Sequence, residues 1–225
     1  MGVTAFVGCY DDESLAPISG TGKTLSMTGY GFLDSIEGSE IWSNYDTTFS
    51  DKVMGFQAMI NKIKEERKPC DIRKLNIQIA DNSLEDEQPN LILLVTEMQE
   101  ILNSCGSSTN QILFIDSFAH QLRKYEVDLY YDTQRFMNIH KRLRTHTDKI
   151  LLPVKRHLNL KPCLSSRCKL PHVIDIYSLK PDIKYPIKRF NAMKTGVLYN
   201  SHQVVIDTLN IPSKKEIKEV MKDDV

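Results

Sequence analysis

Long apolar runs are missing from this chain of 225 residues: no stretch approaches the roughly 18–20 apolar residues that a helix needs to span a bilayer. The first residues, Met1-Gly2-Val3-Thr4-Ala5-Phe6-Val7, lack the basic flank and extended apolar segment of a secretory signal. Cysteine is scarce and odd in number, and five cysteines scattered over a mid-sized chain exclude a secreted disulfide framework. These absences lead us to expect an intracellular protein. What is present is ordinary for a soluble globule, 41% apolar and 26% charged residues, on a length suited to one sizeable core.

Net charge is also lacking, but the formal zero hides an asymmetry. Residues 1–117 carry 8 basic against 18 acidic side chains, whereas residues 118–170 carry 12 against 4. A basic block beside an acidic one suits either an anionic partner such as DNA or a charge-complementary neighbouring subunit. An ordinary solvated basic face is the competing reading.

The most informative stretch is Ser19-Gly20-Thr21-Gly22-Lys23-Thr24, followed by Leu25. Small residues let successive backbone N–H groups turn inward around phosphate oxygens, a lysine reaches the β- and γ-phosphates, and a threonine hydroxyl ligates Mg²⁺. A helix starting here adds the positive end of its dipole. Pro17 stands where the pattern G-x-x-x-x-G-K-[ST] has its first glycine, so the loop's entry differs locally.

Strand and helix patterns alternate after this loop. Lys23 to about Ser35 reads as a helix, weakened by Gly29 and Gly31 by roughly 1 kcal/mol each. Glu40–Tyr45 reads as a strand, Phe56–Arg67 as a helix burying Phe56, Met59, Ile60 and Ile63, and Leu75–Ile79 as a short strand. Leu91–Val95 is unbroken apolar sequence of strand length, the mark of a strand covered on both faces. Helices are expected over 98–103, from Thr109 to about Tyr125, and from Arg135 to about Arg144, with strands at Val127–Asp132 and Ile150–Leu152. Beyond residue 155, short strands at His172–Tyr177 and Val197–Tyr199 are expected between proline-containing loops. Such alternation argues for a three-layer α/β domain.

A nucleotide hydrolase also needs a carboxylate that orients water and groups that hold the metal. Glu97, just past the buried strand, is the carboxylate candidate, although an acid at a helix start is the plainer account of it. Thr96 stands where nucleotidases of this type carry an aspartate, and a hydroxyl there bonds a metal-bound water without adding charge. Gln134, after the strand Val127–Asp132, is a sensor candidate, because open α/β sheets bind ligands at the carboxyl ends of their strands.

Ser19–Thr24, Ile41-Trp42-Ser43-Asn44-Tyr45, Leu91–Glu97, Gln121-Leu122-Arg123-Lys124 and Val127–Phe136, taken in order, resemble the HerA–FtsK type of P-loop ATPases. They most resemble the small versions that archaeal viruses use to package DNA. The resemblance spans about residues 16–154. It implies a RecA-like, additional-strand (ASCE) P-loop NTPase fold with a mostly parallel sheet, in which residues 1–155 form the ATPase core and 156–225 a β-rich extension and tail. It further implies ATP and Mg²⁺ at the subunit interfaces of a homo-oligomeric ring, pentamer or hexamer, with double-stranded DNA passing through it. A viral capsid or portal component would be a further partner, and the host cytoplasm or the virion the location. Residue by residue, Gly22, Lys23 and Thr24 match the phosphate loop, Glu97 the catalytic carboxylate and Gln134 the sensor. An arginine from the neighbouring subunit is expected at the γ-phosphate, with Arg123, Arg142 and Arg144 as candidates. Export of filamentous phage, host DNA processing and a non-catalytic nucleotide-binding assembly protein are the rival functions.

Cys163, Cys168 and His172 lie close enough in sequence to suggest zinc, with His157 as a fourth ligand, but CxxC spacing is absent. A Cys163–Cys168 disulfide is the alternative in a hyperthermophile. Cys9, Cys70 and Cys105 read as small buried or loop residues.

Overall fold

The computed structural model describes residues 2–8, 21–69, 89–102, 117–118, 122, 124–163, 165 and 168–199. The expected strand Leu75–Ile79 and most of the expected helix 109–125 lie outside them. So do Pro17, Ser19, Gly20, Arg123, Cys9, Cys70, Cys105 and the tail beyond residue 199.

Eight strands form one sheet: β1 (Val3–Val7), β2 (Glu40–Ser43), β3 (Lys52–Val53), β4 (Leu91–Val95), β5 (Val127–Thr133), β6 (Lys149–His157), β7 (His172–Lys180) and β8 (Asp182–Asn191). Their order is β3-β2-β4-β5-β1-β6-β7-β8. The six strands from β3 to β6 in this order are parallel, and β7 runs antiparallel to both β6 and β8. One extra strand, β5, therefore separates β1, the strand before α1 (Lys23–Ile36) in the chain, from β4.

Parallel strands need cover on both faces, and the side chains show it. All five residues of β1 and all five of β4 are buried. One face packs Trp42, Leu91, Leu93, Val95, Leu129 and Tyr131 against Phe56, Met59 and Ile63 of α2 (Phe56–Glu66). The other packs Phe6, Ile41, Ile92 and Leu94 against Met27 of α1 (Lys23–Ile36). Gly29 and Gly31 allow α1 to lie close to the sheet. A Cβ on Gly31 would stand 2.7 Å from Leu94 Cδ1, and one on Gly29 would stand 2.8 Å from Phe190 Cε1.

Three expectations need correction. The helix expected over 135–144 is a single 3₁₀ turn at Phe136–Asn138, and α4 starts only at Lys141 and runs to His146. The backbone turns extended at Ile139 and His140, and the His140 side chain caps the new helix by accepting from Arg142 N. No strand forms at Val197–Tyr199: α5 (Ala192–Gly196) precedes it, and Tyr199 makes one isolated bridge to Thr47. In its place β8, unforeseen because Pro181 and Pro186 read as loop signals, closes the sheet. Pro186 is tolerated because β8 is an edge strand, where a missing N–H costs no ladder bond.

Candidate nucleotide site at the carboxyl ends of the parallel strands

Strands β1, β4 and β5 end side by side. Val7 pairs with Thr133, and Val95 with Tyr131, so Thr96 emerges next to Asp132. Side chains alternate between faces with a period of two. Because Tyr131 and Val95 belong to the α2 face, Asp132 and Thr96 must point to the α1 face, where the helix after the loop begins.

That helix starts at Lys23, with Gly22 before it in the left-handed region at φ 89°. Only glycine adopts this backbone without strain, and a Cβ there would also stand 2.8 Å from Ile174 Cδ1. Thr21 is buried, and its hydroxyl has no hydrogen-bond partner among the described residues. An orphaned hydroxyl in this position fits an absent phosphate oxygen. Thr21 to Leu25 line a cleft of about 350 Å³ that Ile174, Ala192 and Tyr199 complete on its apolar side.

Asp132 is the residue that sequence reading missed. It is fully buried and gathers the site. The Thr24 hydroxyl donates to its Oδ2, as does Thr96 Oγ1 at 3.0 Å, and Glu97 N donates to its Oδ1 at 2.7 Å. The carboxylate absent at Thr96 is thus supplied from the adjacent strand, on the same face. The available signal was an acid near the end of a strand whose Val127, Leu129 and Tyr131 are apolar and buried. Asn44 completes the frame: its Oδ1 accepts from Thr96 N at 2.9 Å and its Nδ2 donates to Thr96 O at 3.3 Å.

Glu97 caps the single turn α3 (Met98–Ile101) in position only, since its side chain makes no capping bond. Its backbone is left-handed, φ 54°, which costs a non-glycine residue roughly 1–2 kcal/mol. The bond from its N–H to Asp132 helps hold that conformation. Its carboxylate accepts from Gln99 Nε2, and Gln99 Oε1 in turn accepts from Gln134 N at 3.4 Å. Burial, with Asp132 beside it, holds the Glu97 carboxyl above the usual range, while Gln99 and the Lys23 ammonium pull it back. Lys23, Thr24, Thr96, Glu97 and Gln134 are therefore brought to one place.

The arginine candidates differ. Arg142 and Arg144 sit in α4, whose Leu143 packs into the α2 face, opposite Lys23 and Thr24. Arg144 Nη1 lies 2.8 Å from Met137 Sδ.

Strand order and the junction from Gly22 into α1 are those of a RecA-like α/β fold with an additional strand, β5, between β1 and β4. No family model matches the chain, and no curated protein matches it. Among solved structures, it is similar to the N-terminal domain of zonular occludens toxin from Neisseria meningitidis (16% identity, 88% of this chain and 98% of that one, TM-score 0.45). It is also similar to the genome packaging NTPase B204 from Sulfolobus turreted icosahedral virus 2 in complex with ATP-gammaS (12% identity, 81% and 94%, TM-score 0.43). A third is the pCW3 conjugation coupling protein TcpA with ATPgS (10% identity, 98% and 65%, TM-score 0.43). At these identities the likeness is one of fold alone.

Proposed function

We propose that this chain is an ATP- and Mg²⁺-dependent phosphohydrolase that drives double-stranded DNA, with viral genome packaging as its task. The observation that carries the reading is the Asp132 carboxylate, which accepts from the phosphate-loop Thr24, from Thr96 and from the backbone of Glu97. Three hydrogen bonds satisfy this carboxylate, and a fully buried charge is stabilised further by a cation nearby. The donor set, two hydroxyls and a carboxylate, is all oxygen and suits Mg²⁺. Thr24 would hold the ion, with Asp132 and Thr96 behind it, and the ion when bound supplies charge neutralisation to the phosphates.

Lys23 places its ammonium at the phosphates and offsets charge that develops as the γ-phosphoryl leaves. Glu97 orients the attacking water. The raised affinity of its carboxyl for protons makes it a better base at neutral pH than an exposed glutamate. Gln99 aims that carboxylate and ties it to the backbone at Gln134, which links the γ-phosphate position to the end of β5. Arg142 and Arg144, on the opposite face of the sheet, suit action on the nucleotide of a neighbouring subunit in a ring. An uncharged hydroxyl at Thr96 favours the non-catalytic reading, and Asp132, bonded to it, weakens that reading by returning negative charge.

DNA as the load rests on the basic block of residues 118–170 and on the resemblance of the ordered motifs. ATP turnover measured with and without double-stranded DNA tests the proposal. Wild-type protein is expected to hydrolyse ATP faster with DNA, and both Lys23→Ala and Glu97→Gln to lose turnover, Glu97→Gln retaining nucleotide binding. Full activity in either variant overturns the assignment of the site; turnover indifferent to DNA overturns the load and favours the export reading.

A further inference from the structure

A second polar cluster lies where β6 meets β7, in the antiparallel part of the sheet. His157 closes β6 and His172 opens β7, and the two are direct partners in the ladder, with ring centroids 4.9 Å apart. The connection between them returns Cys163 and Cys168 to the same place. Cys163 is fixed there by its backbone, since its N–H donates to Lys155 O at 2.9 Å. Arg156 and Pro162 form an isolated bridge beside it, and Leu160, at φ 65°, makes the turn.

One ligand atom from each of His157, Cys163, Cys168 and His172 lies within 4.8 Å of the other three. A tetrahedron with zinc–sulfur bonds of about 2.3 Å has edges of about 3.8 Å, so the four atoms need draw in by only about an ångström. Two features set this cluster apart from a chance grouping. His172 is 6% exposed and its Nε2 has no hydrogen-bond partner, and His157 Nδ1 is likewise buried without one. Buried imidazole nitrogens are normally satisfied, and two orphans at one pair of thiols ask for a shared partner. Both thiols are free.

Hydrogen bonds hold the described part of the connection, while its leucines at 158, 160 and 170 are 61%, 48% and 62% exposed and bring no apolar packing to it.

We propose that His157, Cys163, Cys168 and His172 form a structural Zn²⁺ site that clamps the β6–β7 connection. Two imidazoles and two thiolates are the donor set zinc takes in closed tetrahedral sites. On binding, both thiols release their protons to solvent, and the two thiolates balance the charge of the ion.

His172 also lines the cleft beside Thr21–Leu25, so the site is tested on the full chain by metal content rather than by ATP turnover. Elemental analysis of reduced protein equilibrated with Zn²⁺ alone and then desalted is expected to give about one zinc per chain, as a closed four-ligand site requires. Cys168→Ser and His157→Ala are expected to lose the ion while keeping the circular dichroism spectrum, whereas a triple Cys9→Ser, Cys70→Ser, Cys105→Ser variant keeps it. Replacement by Co²⁺ is expected to give tetrahedral visible bands and a thiolate charge-transfer band, a readout that does not depend on variants folding. Reduced protein that takes up no Zn²⁺, or zinc retained by both ligand variants, overturns the proposal. So does a Cys163–Cys168 disulfide that persists in the freshly purified protein and whose reduction confers no uptake.

Discussion

Strands β4 and β8 belong to one sheet, yet every side chain of β4 is buried and all of β8 but Phe190 is exposed. The difference separates two ways of making a place for chemistry. At the carboxyl ends of β4 and β5, packing on both faces removes water, so a carboxylate can be buried, a glutamate's proton affinity raised and a strained backbone held. In the antiparallel part Ile174, Ile176 and Phe190 pack on the α1 face, and beyond that packing the described interactions that stand out are polar. They are the Asp175 carboxylate, paired with Arg156 at 3.1 Å and with Arg189 Nη2 at 3.0 Å, and the His–Cys cluster. A buried core positions reactive groups through packing, whereas a thin extension needs charge pairs or a metal to do the same.

The sharpest way to break this comparison is Asp132→Asn. If the buried acid does the work of the absent aspartate at position 96, turnover falls by about 10²–10³-fold, as for loss of a preorganised electrostatic group, and the Mg²⁺ concentration needed rises. Adding Thr96→Asp on that background, one strand over on the same face, is expected to restore much of the rate in a steady-state assay. An unimpaired Asp132→Asn enzyme would leave Asp132 a merely structural residue.

Stability should divide along the same line. Leu94→Ala in β4 is expected to cost about 2–5 kcal/mol in denaturant unfolding, while Ile187→Ala in β8 stays within about 0.5 kcal/mol. Equal losses would mean that β8 is buried in solution, for example by another subunit.

Gly31→Ala sharpens the account of α1. Helix propensity alone favours alanine by about 1 kcal/mol, but the new methyl would meet Leu94, which is fully buried and has nowhere to swing. Overpacking of about 1–3 kcal/mol is expected to win, giving net destabilisation. A stabilised variant would show that α1 can lift from the sheet freely.

The smallest effect concerns pH. Glu97 acts as a carboxylate, so activity is lost as pH falls through its pKa, and a raised pKa brings that loss to higher pH. Gln99→Leu removes a bond that lowers the pKa and should move the acidic limb of kcat/KM upward. Glu100→Gln removes a like charge and should move it downward. Shifts of the same sign in both variants would contradict Glu97 as the titrating group.

Local pattern carried much of the site. Lys23 and Thr24 were legible because phosphate binding demands small residues, a lysine and a hydroxyl at consecutive positions before a helix. The apolar run Leu91–Val95 announced both a central strand and the acid after it. Asp132 was not legible in its role, since its meaning depends on which strand lies next to β4 and on which face its side chain emerges. Strand β8 was hidden because a proline signals a loop until the strand is known to be an edge.

Periodicity and short motifs, then, determined α1, α2, β2, β4 and β5 and marked Lys23, Thr24 and Glu97 as candidates, because these depend on residues close in the chain. The tertiary structure alone decided that the acid beside Thr24 comes from β5, and that His157 and His172 stand opposite each other with two thiols close by. Both arrangements are lateral neighbourhoods in a sheet, where contact is set by strand order and register across many residues of intervening chain, and no local pattern encodes them.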